Sequence, residues 1–314
     1  MQNRLTISAF LCVLLFFQPI KAQETSASFQ TKHVIVLVID GVRFTESFGD
    51  DSCRYIPNLC ELKSDGVLYD QFRANGPRTT TNVGHTALVT GVYQRISNSG
   101  KAFPRNPSMF QYFMKQKDID KNKLWAISSK GKLSIMGNTR NRKWRNRFLP
   151  SVYCGKNGNN NDYVNDRETW KQVMHVMNTY KPYLSIINLL APDVNGHGNN
   201  WEGYLQAIRN SDAYARELWE WIQNDPEMKD QTTLIITNDH GRNEDGHKDG
   251  FISHGDRSIG NRHIFMLALG PDTKKNVVHN KKRELIDIPV TIAHILGFDM
   301  PTAKGEVMWE MFLN

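Results

Sequence analysis

The sequence has 314 residues, with 39 lysines and arginines against 32 aspartates and glutamates, which gives a formal net charge of +7. Hydrophobic residues make up 39% of the chain and charged residues 23%, a composition that is typical of globular proteins and excludes a disordered, a collagen-like or a polytopic membrane protein. The positive charge leaves open whether the protein binds nucleic acid or another anionic surface.

The first 22 residues have the pattern of a secretory signal peptide. An early cation and an apolar run over residues 5–17 precede the small residue Ala22, after which cleavage is expected. The apolar run is shorter than the ~20 residues that a transmembrane helix needs. We therefore predict that residues 1–22 are removed and that residues 23–314 are secreted or periplasmic with no membrane span. An uncleaved anchor is the alternative.

Export would place the remaining cysteines in an oxidising compartment. Cys53, Cys60 and Cys154 lie beyond the predicted signal peptide and do not form a zinc knuckle or a redox Cys-x-x-Cys motif. Cys53 and Cys60 are close enough in sequence to form a local disulfide, but their spacing alone does not establish pairing. We assign all three a structural role.

Short apolar runs alternate along the chain with segments of helical spacing. The run His33–Ile39 is almost continuously apolar and ends at Asp40, as expected for a strand buried on both faces. Similar runs lie at 124–127, 183–190, 233–237 and 263–269. Helical spacing is found at 56–62, 83–89, 109–114, 170–177, 204–222 and 286–296. This alternation predicts a three-layer α/β fold in which a mostly parallel central sheet carries helices on both faces.

One segment departs from the alternation. Residues 137–166 are rich in Asn, Arg and Gly, which predicts an irregular surface insertion in a single domain that covers residues 23–314. Arg140–Arg147 contains five cations around Trp144, so a secreted basic protein that binds anions or nucleic acid is an alternative function. Clustered charge on a polar loop is more often a solvated surface, and we expect no specific nucleic-acid partner.

Acidic and histidine side chains follow the predicted strands. Six such residues come after strand ends: Asp40, Asp193, His197, Asp239, His240 and His254. Because loops at the carboxyl ends of the strands converge in open α/β sheets, we expect these side chains to meet. Each one alone has an ordinary interpretation as a turn or loop residue, but carboxylates gathered without a cation would repel one another. The set exceeds the needs of one tetrahedral ion and suffices for two divalent metal ions.

The segment 75–91 offers a nucleophile. Thr81 lies where a loop meets a predicted helix, so backbone N–H groups and the helix dipole would stabilise an alkoxide and an incoming phosphate. A hydroxyl is a weak nucleophile unless a base or a metal lowers its pKa. The alternative, which this segment alone favours, is that Thr79–Thr81 cap the helix. Asn82 would either donate to a phosphate oxygen or cap the helix.

Five motifs follow one another along the chain: Val-Ile-Asp40-Gly, Thr81-Asn-Val-Gly-His85-Thr-x-x-x-Thr-Gly, Pro-Asp193-x-x-Gly-His197, Asn-Asp239-His240-Gly and Ser-His254-Gly. This ordered set resembles the alkaline phosphatase superfamily. The resemblance is greatest to the phosphodiesterase and nucleotide pyrophosphatase branch and to the related monoesterases that use a threonine nucleophile. It covers the chain from about residue 33 to residue 297.

The resemblance implies two zinc ions and a covalent mechanism. One ion would be held by Asp40, Thr81, Asp239 and His240, and the other by Asp193, His197 and His254. His85 matches a family position that is not a ligand. Thr81 would attack phosphorus to form a phosphothreonine, which water then hydrolyses, and two cations would neutralise the charge that develops on the transferred group.

Substrate preference is less clear from the sequence. Lys130 and Lys132 resemble the paired cations with which some threonine monoesterases of this superfamily hold a dianionic phosphate, although a lysine-containing turn is the alternative. A phosphate dianion interacts more strongly with fixed positive charge than a diester monoanion does. The two lysines therefore favour a small phosphate monoester as the substrate, and a diester is the alternative.

Two other enzyme classes are alternatives. Sulfatases resemble one another in a Cys- or Ser-x-Pro-x-Arg motif whose first residue becomes formylglycine, and this motif does not occur here. The corresponding position is Thr81, which cannot yield that aldehyde. A cofactor-independent phosphosugar mutase is less compatible with export.

Overall fold

The computed structural model describes residues 29–158 and 162–313. The predicted signal peptide, residues 1–22, lies outside the described residues. The strands of the described chain are β1 (His33–Ile39), β2 (Gly66–Arg73), β3 (Leu124–Ser128), β4 (Ser151–Cys154), β5 (Leu184–Leu189), β6 (Thr232–Thr237), β7 (His263–Leu269), β8 (Val277–His279) and β9 (Arg283–Glu284). The α-helices are α1 (Pro57–Leu62), α2 (Thr81–Thr90), α3 (Met109–Lys117), α4 (Asp166–Tyr180), α5 (Ala191–His197), α6 (Trp201–Asn224), α7 (Ile259–Arg262) and α8 (Asp287–Ile295).

These strands form one sheet in the order β4-β3-β5-β1-β6-β7-β2-β8, with β9 also paired to β2. The pairings of β1 with β5 and β6, and of β3 with β4 and β5, are parallel. Strand β7 is antiparallel to both of its neighbours, β6 and β2. The predicted α/β fold with a mostly parallel central sheet is therefore confirmed.

Alternate residues of β1 face two separate hydrophobic clusters. Val34 and Val36 pack in the cluster that contains residues of α2, α3 and α8. Ile35 and Leu37 pack in the cluster that contains residues of α1, α4 and α6. Side chains alternate between the two faces of a strand, so the residues of β1 pack against both helical layers. This explains why the run of apolar residues is continuous and does not alternate with polar residues.

Strand β2 does not coincide with any of the predicted apolar strands. Polar Asp70 and Gln71 interrupt its apolar residues at the place where the register with β7 shifts, between Tyr69 and Phe72. A bulge of this kind breaks the local pattern, so the strand is specified by its neighbours in the sheet.

The segment 137–166, predicted as an irregular insertion, contains both irregular and regular parts. Residues 138–150 form turns and bends, and the cations of Arg140–Arg147 are exposed. Ser151–Cys154 form β4 at the edge of the sheet, with Cys154 fully buried. A disulfide joins Cys53 and Cys60, and Cys154 is a free thiol among the described residues.

The carboxyl ends of β1, β5 and β6 lie side by side at the centre of the sheet. The segments that carry the predicted site residues leave the sheet at this edge. Across residues 29–158 and 162–313, no helix has the length and apolar character needed to cross a bilayer.

Candidate metal centre

Asp40, Asp239 and His240 form the first candidate group, which we call the inner site. Asp40 follows β1, and Asp239 and His240 follow the adjacent β6. One ligand atom from each residue lies within 4.8 Å of the others, and all three residues are fully buried. Neighbouring strand ends therefore bring two carboxylates and an imidazole into one small volume that water does not reach.

Hydrogen bonds fix the far side of each ligand in the inner site. Asp40 Oδ2 accepts a hydrogen bond from Asn188 Nδ2 at 3.0 Å. Asp239 Oδ1 accepts from the backbone N–H groups of Gly41 and His240, at 3.2 and 3.0 Å. His240 Nδ1 donates to the carbonyl oxygen of Gly241 at 2.9 Å. These contacts hold the second carboxylate oxygens and the other imidazole nitrogen in place.

The atoms that remain in the inner site fit a divalent cation. Asp239 Oδ2 and His240 Nε2 are buried and have no hydrogen-bond partner among the described residues. Burial lowers the pKa of His240 to about 3, so its ring is neutral and Nε2 carries a lone pair. Burial and the neighbouring Asp239 carboxylate raise the pKa of Asp40. Buried carboxylate oxygens and imidazole nitrogens that carry lone pairs and lack hydrogen-bond partners are the types of ligand that zinc takes.

Asp193, His197 and His254 form the second group, which we call the outer site. The Nε2 atoms of the two histidines are 3.0 Å apart, and each lies 3.3 Å from Asp193 Oδ1. His254 Nδ1 donates to the carbonyl oxygen of Thr79 at 2.7 Å, which leaves Nε2 turned toward the group. The side chain of His197 is 50% exposed, so this group opens to solvent.

The two sites adjoin. The rings of His240 and His254 stack with their centroids 3.8 Å apart. Lys130 Nζ lies 2.9 Å from Asp40 Oδ1 and 2.6 Å from Asp193 Oδ2, so a single ammonium touches a carboxylate of each site. Burial alone would lower the pKa of Lys130, but the carboxylates of Asp193 and Asp40 outweigh burial and raise it.

Thr81 is the first residue of α2 and lies beside the inner site. Its Oγ1 atom is 3.3 Å from Lys130 Nζ. Gly84, three residues after Thr81, allows α2 to lie close to the backbone of Asp239. A Cβ at this position would be 2.4 Å from the carbonyl oxygen of Asp239. His85 Nδ1 lies 2.9 Å from the Thr81 carbonyl oxygen and 3.3 Å from Asp239 Oδ2, which ties the helix to the inner site.

The hydroxyls near the start of α2 do not act as a helix cap. The N-cap residue, Thr80, makes no side-chain capping bond. Thr79 Oγ1 donates instead to the carbonyl oxygen of Asp256 at 2.7 Å and accepts from the N–H of Gly255 at 3.1 Å. Thr79 therefore anchors the loop that carries His254, which removes the basis of the capping alternative for Thr79 and Thr80.

The remaining predicted substrate residues lie in the same region. Lys132 is buried, and its pKa is lowered by burial and by the charge of Lys130. Asn82 is fully buried; its Nδ2 donates to the carbonyl oxygen of Ser97 at 2.9 Å, and its Oδ1 has no partner among the described residues. Lys132 and Asn82 thus neighbour Lys130 and Thr81 along the chain, and the roles of the predicted residues as ligands and substrate contacts stay predictions.

Two residues that contact the ligands were not identified from the sequence. Asn188, which donates a hydrogen bond to Asp40, is a polar residue inside the apolar run of β5. A polar side chain at a buried strand position could have indicated a role at the site. Arg242 follows the Asn-Asp-His-Gly motif and places Nη1 2.5 Å from Asp193 Oδ1. Its position in the sequence carries no pattern that distinguishes it from a surface arginine.

Comparisons with known proteins agree with this architecture. Alkaline phosphatase PafA superposes with a TM-score of 0.67 at 12% identity, over 90% of this chain and 99% of that one. The phosphonate monoester hydrolase SpPMH from Silicibacter pomeroyi superposes with a TM-score of 0.65 at 11% identity, over 88% of this chain and 76% of the other. At these identities the similarity establishes the fold, which is that of alkaline phosphatase.

Sequence relatives cover less of the chain. A 2,3-bisphosphoglycerate-independent phosphoglycerate mutase from Gracilaria tenuistipitata var. liui is 31% identical over 134 residues, which is 41% of this chain and 24% of the mutase. The chain spans between 24% and 33% of the length of the curated relatives that it matches. Residues 32–300 match the sequence profile of the metalloenzyme superfamily. The superfamily expected from the five motifs is thereby confirmed, and the chain belongs to the metalloenzyme superfamily.

Proposed function

We propose that the protein is a two-metal hydrolase of phosphate esters in which Thr81 is the nucleophile. The observation that carries this proposal is the environment of the Thr81 hydroxyl. It is buried at the N-terminus of α2, and its one hydrogen bond among the described residues is with Lys130, which also contacts both sites. The hydroxyl therefore does not stabilise the helix by a hydrogen bond, and it lies near two groups of potential metal ligands.

The proposed reaction has two displacements at phosphorus. The Thr81 oxygen forms a bond to phosphorus while the bond to the leaving oxygen breaks, and the proton that Thr81 loses is balanced by the one that the leaving oxygen takes up. Water then attacks the phosphothreonine, the bond between Thr81 and phosphorus breaks, and phosphate is released with the hydroxyl restored. Cations in the inner and outer sites, which we propose to be zinc, supply the charge that lowers the pKa of the hydroxyl and neutralises the transferred group.

Two lysines favour a phosphate monoester as the substrate. Lys130 is held between Asp40 and Asp193, and Lys132 is buried next to it with no ion pair in the described chain. A buried ammonium without a counterion is costly unless a ligand supplies the charge. A phosphate dianion would supply it better than a diester monoanion. In this proposal Asn82 donates to a phosphate oxygen through Nδ2, which now binds Ser97.

The binding-protein alternative has weaker support. The cations of Arg140–Arg147 are exposed, but the ring of Trp144 packs edge-on against Tyr112 at 4.8 Å and is only partly exposed. An aromatic side chain that is committed to the core is poorly placed to stack on bases. We propose that this loop is a solvated surface.

We also propose that the mature protein is a single exported domain. The Cys53–Cys60 disulfide supports an oxidising compartment, because such bonds form and persist in secreted and periplasmic proteins. The pattern of residues 1–22 supports the same location.

The test is hydrolysis of p-nitrophenyl phosphate and bis-p-nitrophenyl phosphate, measured side by side with zinc-loaded protein. We expect hydrolysis by the wild type, faster with the monoester, and no detectable turnover after Thr81→Ala. Thr80→Ala is the matched control, because Thr80 precedes the nucleophile and makes no capping bond. Mass spectrometry after acid quenching should find phosphate on Thr81. Turnover that survives Thr81→Ala would exclude this residue as the nucleophile, and anion binding without any turnover in the wild type would support the binding-protein alternative.

A further inference from the structure

Arg242 is a fully buried arginine whose guanidinium contacts two ligand-bearing segments, and the arginine itself follows a third. Nη1 lies 2.5 Å from Asp193 Oδ1, and Nη2 donates to the carbonyl oxygen of Ile252 at 2.7 Å. Nε donates to the carbonyl oxygen of Phe251. None of the guanidinium is exposed to solvent. Every nitrogen of the guanidinium is therefore engaged, and two of the three acceptors are backbone carbonyls that no other described group satisfies.

These contacts connect all three ligands of the outer site. Asp193 and His197 both belong to α5. Phe251 and Ile252 immediately precede the loop that carries His254, and Arg242 itself lies two residues after the inner ligand His240. The guanidinium thus joins α5 to the segment before His254 and to the segment that follows β6, which are distant from one another in sequence.

Helix α5 lies directly against the guanidinium at Gly196. A Cβ at that position would be 2.6 Å from both Cζ and Nε of Arg242, so the absence of a side chain permits the contact. Gly196 is adjacent to His197 in sequence, and the contact therefore sets how closely His197 approaches His254. The distance between the two outer-site histidines therefore depends on the contact between α5 and the guanidinium of Arg242.

Two effects of Arg242 on a bound cation oppose each other. Its positive charge repels the cation, whereas its hydrogen bonds hold the ligands in place. Asp193 already pairs with Lys130 through Oδ2, at 2.6 Å, so the carboxylate is oriented from both sides. Without the arginine, Asp193 keeps Lys130 at Oδ2 but loses its partner at Oδ1, and the carbonyls of Phe251 and Ile252 lose their donor. We expect the positioning effect to be larger, since groups that orient metal ligands typically contribute ~10–100-fold in affinity.

We propose that Arg242 is a positioning residue that holds Asp193, His197 and His254 in the geometry of a divalent metal site. The proposal rests on the two-metal function proposed above. It predicts that removal of the guanidinium weakens metal binding in the outer site and leaves the inner site almost unchanged.

The experiment measures Zn²⁺ affinity, by competition with a chelating dye, in protein that retains one site at a time. Asp239→Ala removes an inner ligand and reports on the outer site, and His197→Ala removes an outer ligand and reports on the inner site. Arg242→Met removes the charge at similar length, and Arg242→Lys keeps the charge without the planar fork. We expect both substitutions to raise the Kd at least tenfold in the Asp239→Ala background and less than twofold in the His197→Ala background.

The possible results distinguish ligand positioning by Arg242 from charge repulsion, and they distinguish failure of this proposal from failure of the proposed metal centre. Unchanged or tighter outer-site binding after Arg242→Met would overturn the positioning role, and tighter binding would show that charge repulsion dominates. Equal losses in both backgrounds would indicate general destabilisation and would also overturn it. If the Arg242 variants do not fold by circular dichroism, Gly196→Ala displaces the guanidinium without removing charge, and wild-type outer-site affinity in that variant refutes the proposal. A wild type that binds no zinc would instead refute the proposed metal centre itself.

Discussion

Lys130 Nζ lies 2.6 Å from Asp193 Oδ2, in a place that solvent does not reach. The same ammonium also contacts Asp40, so in the metal-free protein it compensates a carboxylate from each site. Burying two carboxylates without a counterion is unfavourable, and the loss of one partner from such an arrangement typically costs about 3 kcal/mol or more.

Lys130→Met should therefore destabilise the metal-free protein by about 3 kcal/mol. Urea unfolding in the presence of a chelator measures this change. Zinc should restore more stability to the variant than to the wild type, because the cations replace the missing positive charge. Lys132→Met is the control, since Lys132 makes no ion pair in the described chain. Equal unfolding free energies for Lys130→Met and the wild type would contradict the compensating role.

Lys132→Ala should shift substrate preference. We expect kcat/KM for p-nitrophenyl phosphate to fall about 10–100-fold and kcat/KM for the bis ester to change less than about threefold, because a dianion gains more from a nearby ammonium. Steady-state kinetics with the two substrates gives the ratio. The exposed Lys121, substituted by Ala, should leave both values unchanged. A parallel loss with both substrates would argue against a phosphate-selective role.

Metal removal should abolish hydrolysis reversibly. Dialysis against a chelator should eliminate turnover, and added zinc should restore it, since the proposed mechanism needs bound cations to lower the pKa of the Thr81 hydroxyl. Elemental analysis of the reloaded protein should approach two ions per chain. Asp239→Ala should abolish turnover. A metal content well under two ions in active protein would be evidence against the two-site arrangement.

An ion pair far from the site should make stability depend on acidic pH. Burial alone would raise the pKa of Glu310, but hydrogen bonds from Arg283 outweigh burial and lower it to about 2 from its ordinary value of 4.5. Because the folded-state pKa is depressed, the contribution is fully present above pH 4.5 and disappears as the pH falls toward 2.

The comparison of Glu310→Gln with the wild type tests this dependence. Between pH 5 and pH 2.5 the wild type should lose on the order of 1 kcal/mol more unfolding free energy than the variant, because partial exposure of Glu310 screens the pair. Glu306→Gln is the matched control, because Glu306 contacts the same Arg283 at 3.2 Å but is 82% exposed, and exposed pairs contribute little. Identical pH profiles for Glu310→Gln and the wild type would show that the pair does not contribute in this way.

Local pattern accounts for much of what was predicted. Apolar runs located the five central strands, and helical spacing located six helices within a few residues of their bounds. The short helix α5 was not predicted, because Pro192, Asn195 and Gly196 are weak helix formers and its seven residues are specified by their contacts. Strand β2 was missed because a bulge interrupts its apolar pattern.

The sequence by itself determined which chemical groups follow each strand, because strand ends and the residues after them are set by local hydrophobic periodicity. Only the tertiary structure decided how these groups are arranged. The contact of Asn188 with Asp40 joins residues 148 positions apart, and Arg242 reaches Asp193 across 49. Contacts of this kind depend on how strands pair and helices pack, and no local spacing encodes them. The types of the candidate ligands were therefore predictable from the sequence, whereas the residues that orient them were found only in the fold.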